Sequence, residues 1–167
     1  MTNAPGEQPP LSRRADSSRL PVRRRPAHGV DPRCGDHPIV YVTVCTNSRG
    51  PWLAKRDVHA RLLDVWRDAG AWHVGRYVVM PDHVHFFAQP AGDLPLENWI
   101  AYWKRVFTIR HNVPSERWQK NYWDTRMRSA AQYDEKWEYV FQNPVRRGLV
   151  GRAEDWPFAG EVSRVEW

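Results

Sequence analysis

Two histidines separated by one residue, His83 and His85, have a spacing that suggests chemistry. They lie in a run of β-branched and aromatic residues typical of a strand, where side chains two apart project from the same face. Two imidazoles side by side on a rigid strand can hold one metal ion and leave coordination positions open for substrate. Such a metal ion polarises a phosphoryl oxygen and orients the phosphate. A His-x-His pair by itself, however, is more often two ordinary surface or core histidines.

A second stretch, closer to the C-terminal end, carries a candidate nucleophile. Tyr139 and Asn143 are four residues apart in a segment with helical periodicity, so they share one helix face. The Tyr139 hydroxyl would point at the phosphate that the histidines hold, and the Asn143 amide oxygen would complete the metal site. Gln142 is the alternative third ligand. Without the histidines, Tyr139 would be interpreted as a packing residue and Asn143 as a helix cap.

The elements that must position these residues alternate along the chain. Pro144 is expected to end the last helix, because the residue before a proline is disfavoured in the α region. The order β-α-β-β-α-β-α predicts an α+β fold, a ferredoxin-like antiparallel sheet with helices packed on it. The periodicities predict strands over 39–45, 73–80, 83–89 and 122–128 and helices over 55–70, 96–107 and 131–143.

Charge and composition restrict the partners. The net charge of +6 favours a polyanionic partner, because basic side chains on phosphates release counterions. Residues 101–152 hold eleven Lys and Arg against five Asp and Glu, so the basic surface is expected there. No apolar stretch reaches membrane-spanning length and no signal peptide begins the chain, so a cytoplasmic protein without a membrane partner is expected.

The chain divides into an N-terminal arm and one domain. Residues 1–36 are rich in Pro, Gly, Ser and Arg without apolar periodicity, which predicts a flexible basic arm. Residues 37–167 are long enough for a single domain with its own core. Cys34 and Cys45 lack the paired spacing of zinc or redox sites and are interpreted as free thiols.

In two motifs the sequence resembles the single-tyrosine HUH transposases of insertion sequences and, within them, the REP-associated tyrosine transposases. The first is Val79-Met80-Pro81-Asp82-His83-Val84-His85, similar to the family's histidine strand and its lead-in. The second is Tyr139-x-x-x-Asn143-Pro144-Val145-x-x-Gly148-Leu149-Val150, similar to its tyrosine helix and exit. Residues 43–47 and 118–124 also match, so the similarity covers about residues 39–158.

The resemblance implies an HUH endonuclease fold in which Tyr139 is the nucleophile. His83 and His85 would be metal ligands, with Asn143 in the place of a third polar ligand and Mg2+ or Mn2+ as the metal. Such an enzyme cleaves and rejoins single-stranded or hairpin DNA through a 5′-phosphotyrosine link, without ATP or another small-molecule cofactor. It would act as a monomer or homodimer.

Basic and aromatic residues near these motifs are candidates for DNA contact. Tryptophan side chains can stack on unpaired bases, and arginines after Pro144 would lie close enough to grip flanking phosphates. Trp99 and Trp103, one helical turn apart, are instead predicted to be core residues. The candidate DNA-binding residues are Arg117, Trp118, Lys120, Trp123, Arg126, Arg128, Arg146 and Arg147.

Three alternatives stay open at this point. A ferredoxin-like module could bind hairpin DNA or RNA without cutting it, stacking bases on strand aromatics such as Tyr41, Phe86 or Phe87. A transposase that no longer cuts could bind hairpins as a regulator. A phosphodiesterase with two His-x-Thr/Ser motifs is disfavoured, because position 85 is His and no such motif occurs elsewhere.

Overall fold

Runs of β-branched and aromatic residues build an antiparallel sheet, and amphipathic segments between them form helices. The computed structural model describes residues 37–167. The predicted arm of residues 1–36, including Cys34, lies outside the described residues. The strands are β1 (Val40–Cys45), β2 (Trp72–Met80), β3 (His83–Pro90), β4 (Trp123–Arg126) and β5 (Ala159–Glu161). The helices are α1 (Arg56–Asp68), α2 (Leu96–His111), α3 (Ala130–Phe141) and α4 (Asn143–Arg146), with 3-10 turns at Asn47–Arg49 and Ala153–Asp155.

The strand order is β4-β1-β3-β2-β5, and every neighbouring pair is antiparallel. The first four strands and the two helices between them give the predicted ferredoxin-like α+β fold. The hairpin of β2 and β3 turns at Pro81 and Asp82, as predicted. Strand β5 was not predicted, because three residues are too short to show a period of two.

One face of the three central strands is apolar and packs on α1 and α2. Alternate residues of β1 and β3, including Val42 and Phe86, project into this layer and are completely buried. Trp99 and Trp103 of α2 are also completely buried, which confirms their prediction as core residues. Because this layer takes every second residue of the central strands, the residues between them must project from the opposite face.

The opposite face is only partly covered, by α3 and the C-terminal segment. The Tyr133 ring packs on the Phe87 ring at a centroid distance of 4.4 Å, and Val140 packs with Val78 and Met80. The Ser129 side chain caps α3 by accepting a hydrogen bond from the Gln132 amide at 3.2 Å. Helix α3 is therefore fixed along this face beside the residues that alternate with the core.

Helix α3 ends before Pro144, close to the predicted position, but the reason given for it was wrong, because Asn143 before the proline is itself helical. Helix α3 ends at Phe141, Gln142 is a break with φ −79° and ψ −2°, and α4 begins at Asn143. Pro144 is tolerated because it occupies the first turn of a new helix, where its missing N–H would have no intrahelical partner. Gly148, with a φ of +66°, then ends this turn in the left-handed region that favours glycine.

Two further sequence predictions concern the described part of the chain. Cys45 is a buried free thiol, as predicted. Among residues 37–167, no helix is long and apolar enough to cross a bilayer.

The stability of the sheet should depend strongly on Phe86, whose ring contacts the rings of Trp66, Trp99 and Trp103. Phe86→Ala leaves a cavity in this layer and should lower the unfolding free energy by about 3–5 kcal/mol. Urea denaturation measures the change. Tyr102→Ala, at an exposed position on α2, is the matched control and should change it by no more than about 0.5 kcal/mol.

Candidate functional site

His83 and His85 project from the same face of β3 and their rings meet. The two Nε2 atoms are 3.0 Å apart, and the ring planes are inclined at 80°. His83 is 7% exposed, and His85 is partly buried. The sequence prediction that both side chains lie on one face is confirmed, with Val84 and Phe86 in the core on the other side.

The Nδ1 atom of each imidazole is held by a different kind of partner. His83 Nδ1 lies 2.7 Å from Asp82 Oδ1, whereas His85 Nδ1 lies 2.7 Å from the Tyr41 hydroxyl and 2.8 Å from the Thr43 hydroxyl. A carboxylate only accepts, so Asp82 fixes the proton of His83 on Nδ1 and leaves Nε2 as an acceptor. His85 then donates from Nε2 to His83, and its Nδ1 is left as an acceptor for the Tyr41 or Thr43 hydroxyl.

Asp82 is surrounded by positive charge. Arg49 Nε lies 3.1 Å from Oδ2, and an Arg147 guanidinium nitrogen lies 3.5 Å from Oδ1. Burial by itself would raise the pKa of Asp82, but the hydrogen bond with His83 and these positive charges outweigh it and lower the pKa. The group therefore stays ionised and keeps His83 oriented.

Burial also determines the protonation state of the histidines. It lowers the pKa of His83, against the opposing effect of Asp82. It lowers the pKa of His85 to about 3, with added contributions from the electrostatic interactions with His83, Arg49 and Lys136. Both imidazoles are thus neutral at physiological pH and present nitrogen lone pairs, the form in which histidine binds metal ions.

Tyr139 is exposed on α3 and lies on the histidine side of the sheet. Its side chain is 60% accessible to solvent. The ammonium group of Lys136 lies 5.7 Å from the centre of the Tyr139 ring and 5.4 Å from that of Tyr41, which stacks on His85. Burial raises the pKa of Tyr41 to about 12, and the nearby Tyr139 phenol adds to the increase. An exposed phenol is therefore within electrostatic reach of the residue that hydrogen-bonds His85.

The two candidate third ligands lie at the break between α3 and α4. The Asn143 Oδ1 atom accepts a hydrogen bond from Arg146, one turn later in the chain. Gln142 occupies the break itself and is partly buried. Within residues 37–167, no cluster of three His, Cys, Asp or Glu side chains is arranged to hold a metal ion. Among the described residues, Asn143 and Gln142 stay the candidates for a third ligand.

Five of the eight candidate DNA-binding residues are distributed over three places. Arg146 and Arg147 are at α4, where Arg146 lies over the Tyr139 ring and Arg147 reaches Asp82. Trp123 of β4 is paired with Thr43 of β1, which is paired with His85 of β3. The half-exposed Trp123 ring therefore lies on the histidine face, two strands away from His85. Arg117 and Lys120 are exposed next to the end of β1, where the Arg117 carbonyl accepts from the Asn47 amide.

Arg126 and Arg128 lie away from the histidines. Arg126 is paired with Val40, whereas His83 is paired with Cys45 at the other end of β1. The five residue steps from Val40 to Cys45 correspond to about 17 Å. The two arginines line a groove of about 480 Å³ together with His37 and Trp167. The structure therefore does not bring these two candidates together with the rest of the site.

The interpretation of Trp118 as a base-stacking residue was wrong. Its ring packs edge-on against Trp52, Trp103 and Phe107, and only 9% of the residue is exposed. The cause is an isolated β-bridge between Trp118 and Thr46, which draws this segment against the core. Too little of the ring is exposed for a base to stack on it.

Sequence reasoning missed three residues that contact the candidate site. Arg49 follows Ser48 in the left-handed region, with φ values of 56° and 53°, and this turn directs its guanidinium to Asp82. Lys136 is one turn before Tyr139, a spacing that would have been a usable signal. Tyr41 had been considered only as a stacking aromatic, although its period-two relation to Thr43 would have placed both on one face.

No family model matches the chain. The REP-associated tyrosine transposase of Escherichia coli (strain K12) is 28% identical over 102 residues, which cover 59% of this chain and 59% of that protein. A relative from Haemophilus influenzae (strain ATCC 51907 / DSM 11121 / KW20 / Rd) is 29% identical over 97 residues, covering 48% and 54%. The structure of a REP-associated tyrosine transposase bound to a REP hairpin superposes with a TM-score of 0.60 at 26% identity, covering 73% of this chain and 75% of that one.

The chain is related to the REP-associated tyrosine transposases. Both the sequence and the fold support the relationship, because the curated relatives and the solved structure carry the same name. The chain matches less than two thirds of the length of these curated relatives. The predicted resemblance to REP-associated tyrosine transposases and the predicted fold class are thus confirmed.

The buried histidines should make the metal-free protein less stable in mild acid. Unfolded His85 takes up a proton below its ordinary pKa of about 6.5, but the folded protein, with a pKa of about 3, does not. The unfolding free energy should therefore fall as pH decreases from 7 to 5, by about 2 kcal/mol more in wild type than in His85→Gln. Urea titrations in the presence of a chelator measure both slopes, and parallel slopes would contradict the lowered pKa.

Proposed function

We propose that this protein is a DNA transposase that cleaves and rejoins single-stranded, hairpin-containing DNA through a covalent bond to Tyr139. The observation that carries the proposal is that an exposed tyrosine lies on the same side of the sheet as two neutral, converging imidazoles, to which Lys136 and Tyr41 connect it. The Tyr139 and Tyr41 rings flank the ammonium group of Lys136, and Tyr41 hydrogen-bonds His85. Nucleophile and metal site are thereby on one surface, as phosphoryl transfer requires.

The related structure supports hairpin DNA as the substrate. That REP-associated tyrosine transposase is bound to a REP hairpin. The charge of this chain, +6, suits such a partner, because each phosphate contact releases counterions. Trp123, with 46% of its surface exposed on the histidine face, offers a ring on which an unpaired base near the scissile phosphate can stack.

Cleavage transfers a phosphoryl group from a deoxyribose oxygen to the tyrosine. The Tyr139 hydroxyl loses its proton to solvent, which its exposure permits, and its oxygen attacks the phosphorus. The bond to the 3′ oxygen breaks, and that oxygen leaves as a 3′-hydroxyl after taking a proton. The 5′-phosphotyrosine that results keeps a phosphodiester, so another 3′-hydroxyl can reverse the step and release Tyr139 with a joined strand.

The histidine pair fits a divalent metal ion. Two nitrogen ligands bound at about 2.1 Å with an angle of 90–109° are about 3.0–3.4 Å apart, and the observed Nε2 separation is 3.0 Å. Each ring is also held at Nδ1, which is the usual support for a metal-binding histidine. Mg2+ or Mn2+ bound there would polarise the scissile phosphate and offset developing charge.

The hydroxyl groups beside His85 allow this pair to bind a metal without any change of shape. In the metal-free network His85 donates from Nε2, so that atom must lose its proton before it can act as a ligand. A hydroxyl can either donate or accept, so Tyr41 and Thr43 serve equally well when the His85 proton moves to Nδ1. A carboxylate at this position would have fixed one tautomer. Asn143 or Gln142 is proposed to add an amide oxygen, and Asn143 Oδ1 has a second lone pair to offer while it accepts from Arg146.

Tyr139→Phe should abolish the covalent adduct. Purified full-length protein is incubated with a labelled single-stranded hairpin from repeats flanking its own gene, with Mn2+ or Mg2+, and resolved on a denaturing gel. Wild type should give a metal-dependent protein–DNA band, which Tyr139→Phe lacks because no oxygen can attack phosphorus. Tyr102→Phe, at a 51% exposed position on α2, is the matched control and should give the wild-type band. Binding without an adduct on every hairpin would instead favour the non-cutting regulator.

Metal binding should tolerate mild acid better than two ordinary histidines would. With both pKa values near 6.5, proton competition would weaken Mn2+ binding about 100-fold between pH 7.5 and 5.5. Because burial lowers the pKa of both His83 and His85, the loss should be less than about tenfold. Calorimetric titration with MnCl2 measures the affinity, and His83→Ala should eliminate this binding. A 100-fold loss in wild type would show that the histidines titrate normally.

A further inference from the structure

The Tyr139 ring is in contact with two cationic side chains, although most of the residue is exposed. The Arg146 guanidinium carbon lies over the ring at 4.0 Å from its centre, and the Lys136 ammonium nitrogen at 5.7 Å. Such contacts attract a cation to the negative face of an aromatic ring. Within residues 37–167, no hydrogen bond holds the Tyr139 hydroxyl, so these ring contacts are what restrict its side chain.

Arg146 reaches back to Tyr139 because the helix is interrupted at Gln142 and continues as α4. Its guanidinium donates hydrogen bonds to the Tyr139 carbonyl and to Asn143 Oδ1. One side chain thus contacts the ring of the nucleophile, its backbone and the next helix. Both hydrogen bonds come from one terminal nitrogen, while the guanidinium lies over the ring, and a lysine ammonium would lack this planar, delocalised group.

Lys136 links the same ring to the histidine pair. It is partly buried between the Tyr139 ring and the Tyr41 ring, and its charge contributes to lowering the pKa of His85. Lys136 and Tyr139 also line a groove of about 280 Å³ with Gln132 and Glu135. A strand entering this groove would meet the phenol from the side on which Lys136 holds it.

We propose that Arg146 and Lys136 are positioning residues that hold the exposed Tyr139 phenol in one orientation beside the histidine pair. The proposal rests on the function proposed above, in which Tyr139 is the nucleophile. It assigns Arg146 a different role from the phosphate contact expected from the sequence. An exposed tyrosine without these contacts would sample several rotamers, and misplacing a reacting atom by about 1 Å can cost about 100-fold in rate.

The orientation can be measured without any DNA. The chain has six tyrosines, so full-length protein made with 3-fluorotyrosine gives six 19F resonances, and Tyr139→Phe identifies that of residue 139. Arg146→Ala and Lys136→Met each remove a cation from the ring. Either change should narrow this resonance and shift it towards the position of free fluorotyrosine. Arg67→Ala, an exposed arginine of α1 on the other side of the sheet, should leave it unchanged. An unchanged resonance in both test variants would overturn the proposal, whether or not the protein cleaves DNA.

The rate of adduct formation tests what the orientation is for. In single-turnover assays with saturating hairpin DNA and Mn2+, Arg146→Ala and Lys136→Met should react about 10- to 100-fold more slowly. Their DNA dissociation constants should stay within about twofold of wild type. The loss of a phosphate contact would instead weaken DNA binding at low salt by more than this. Lys136→Arg should recover most of the rate and Arg146→Lys only part, because lysine lacks the planar guanidinium that lies over the Tyr139 ring. Weaker DNA binding that accounts for the whole loss would overturn the proposal by making these residues phosphate contacts. If wild type forms no adduct, the proposed function fails, and the 19F result still decides the positioning.

Discussion

The register between β1 and β3 is the constraint on which the site depends. It pairs Thr43 with His85 and Cys45 with His83, and so places the Tyr41 and Thr43 hydroxyls at His85 Nδ1. A slip of one residue would turn the histidines into the core and the valines to solvent. The apolar layer under α1 and α2 prevents this slip, because alternate residues such as Val42, Val84 and Phe86 are completely buried there. Packing on one face therefore supplies the rigidity that the polar face needs.

Part of the site is built from conformations that cost free energy. Ser48 and Arg49 both have positive φ values, which cost non-glycine residues on the order of 1–3 kcal/mol each. This turn places Arg49 in contact with Asp82, whose carboxylate in turn holds His83. Arg147 reaches the same carboxylate from α4, after the break at Gln142. Asp82 is consequently where the β1 loop, the β2–β3 turn and the tyrosine helices meet.

The sequence was sufficient to predict features with a regular period. The strand and helix order follow from patterns of two and of three to four, and so does the common face of His83 and His85. Features that depend on irregular backbone were not predicted. The position of the Arg49 side chain depends on left-handed residues, and the burial of Trp118 depends on a single β-bridge. Helix α4 depends on an interruption after which Pro144 is still helical. Each involves a contact between segments far apart in the chain, or a conformation against the residue's own preference. The roles of Tyr139, Asn143 and the histidines stay predictions, although the structure places Tyr139 on the histidine side of the sheet.

Two tyrosines lie on the histidine side of the sheet, and their surroundings differ. Tyr41 is partly buried, hydrogen-bonded to His85 and has a pKa raised to about 12, so its phenol keeps the proton and orients the imidazole. Tyr139 is exposed, as a nucleophile must be if a DNA strand is to reach it. Exposure also removes the packing that would normally fix a side chain. Cations bound to the ring face solve this problem, because they restrict the phenol while leaving its hydroxyl accessible, and Arg146 and Lys136 occupy these positions.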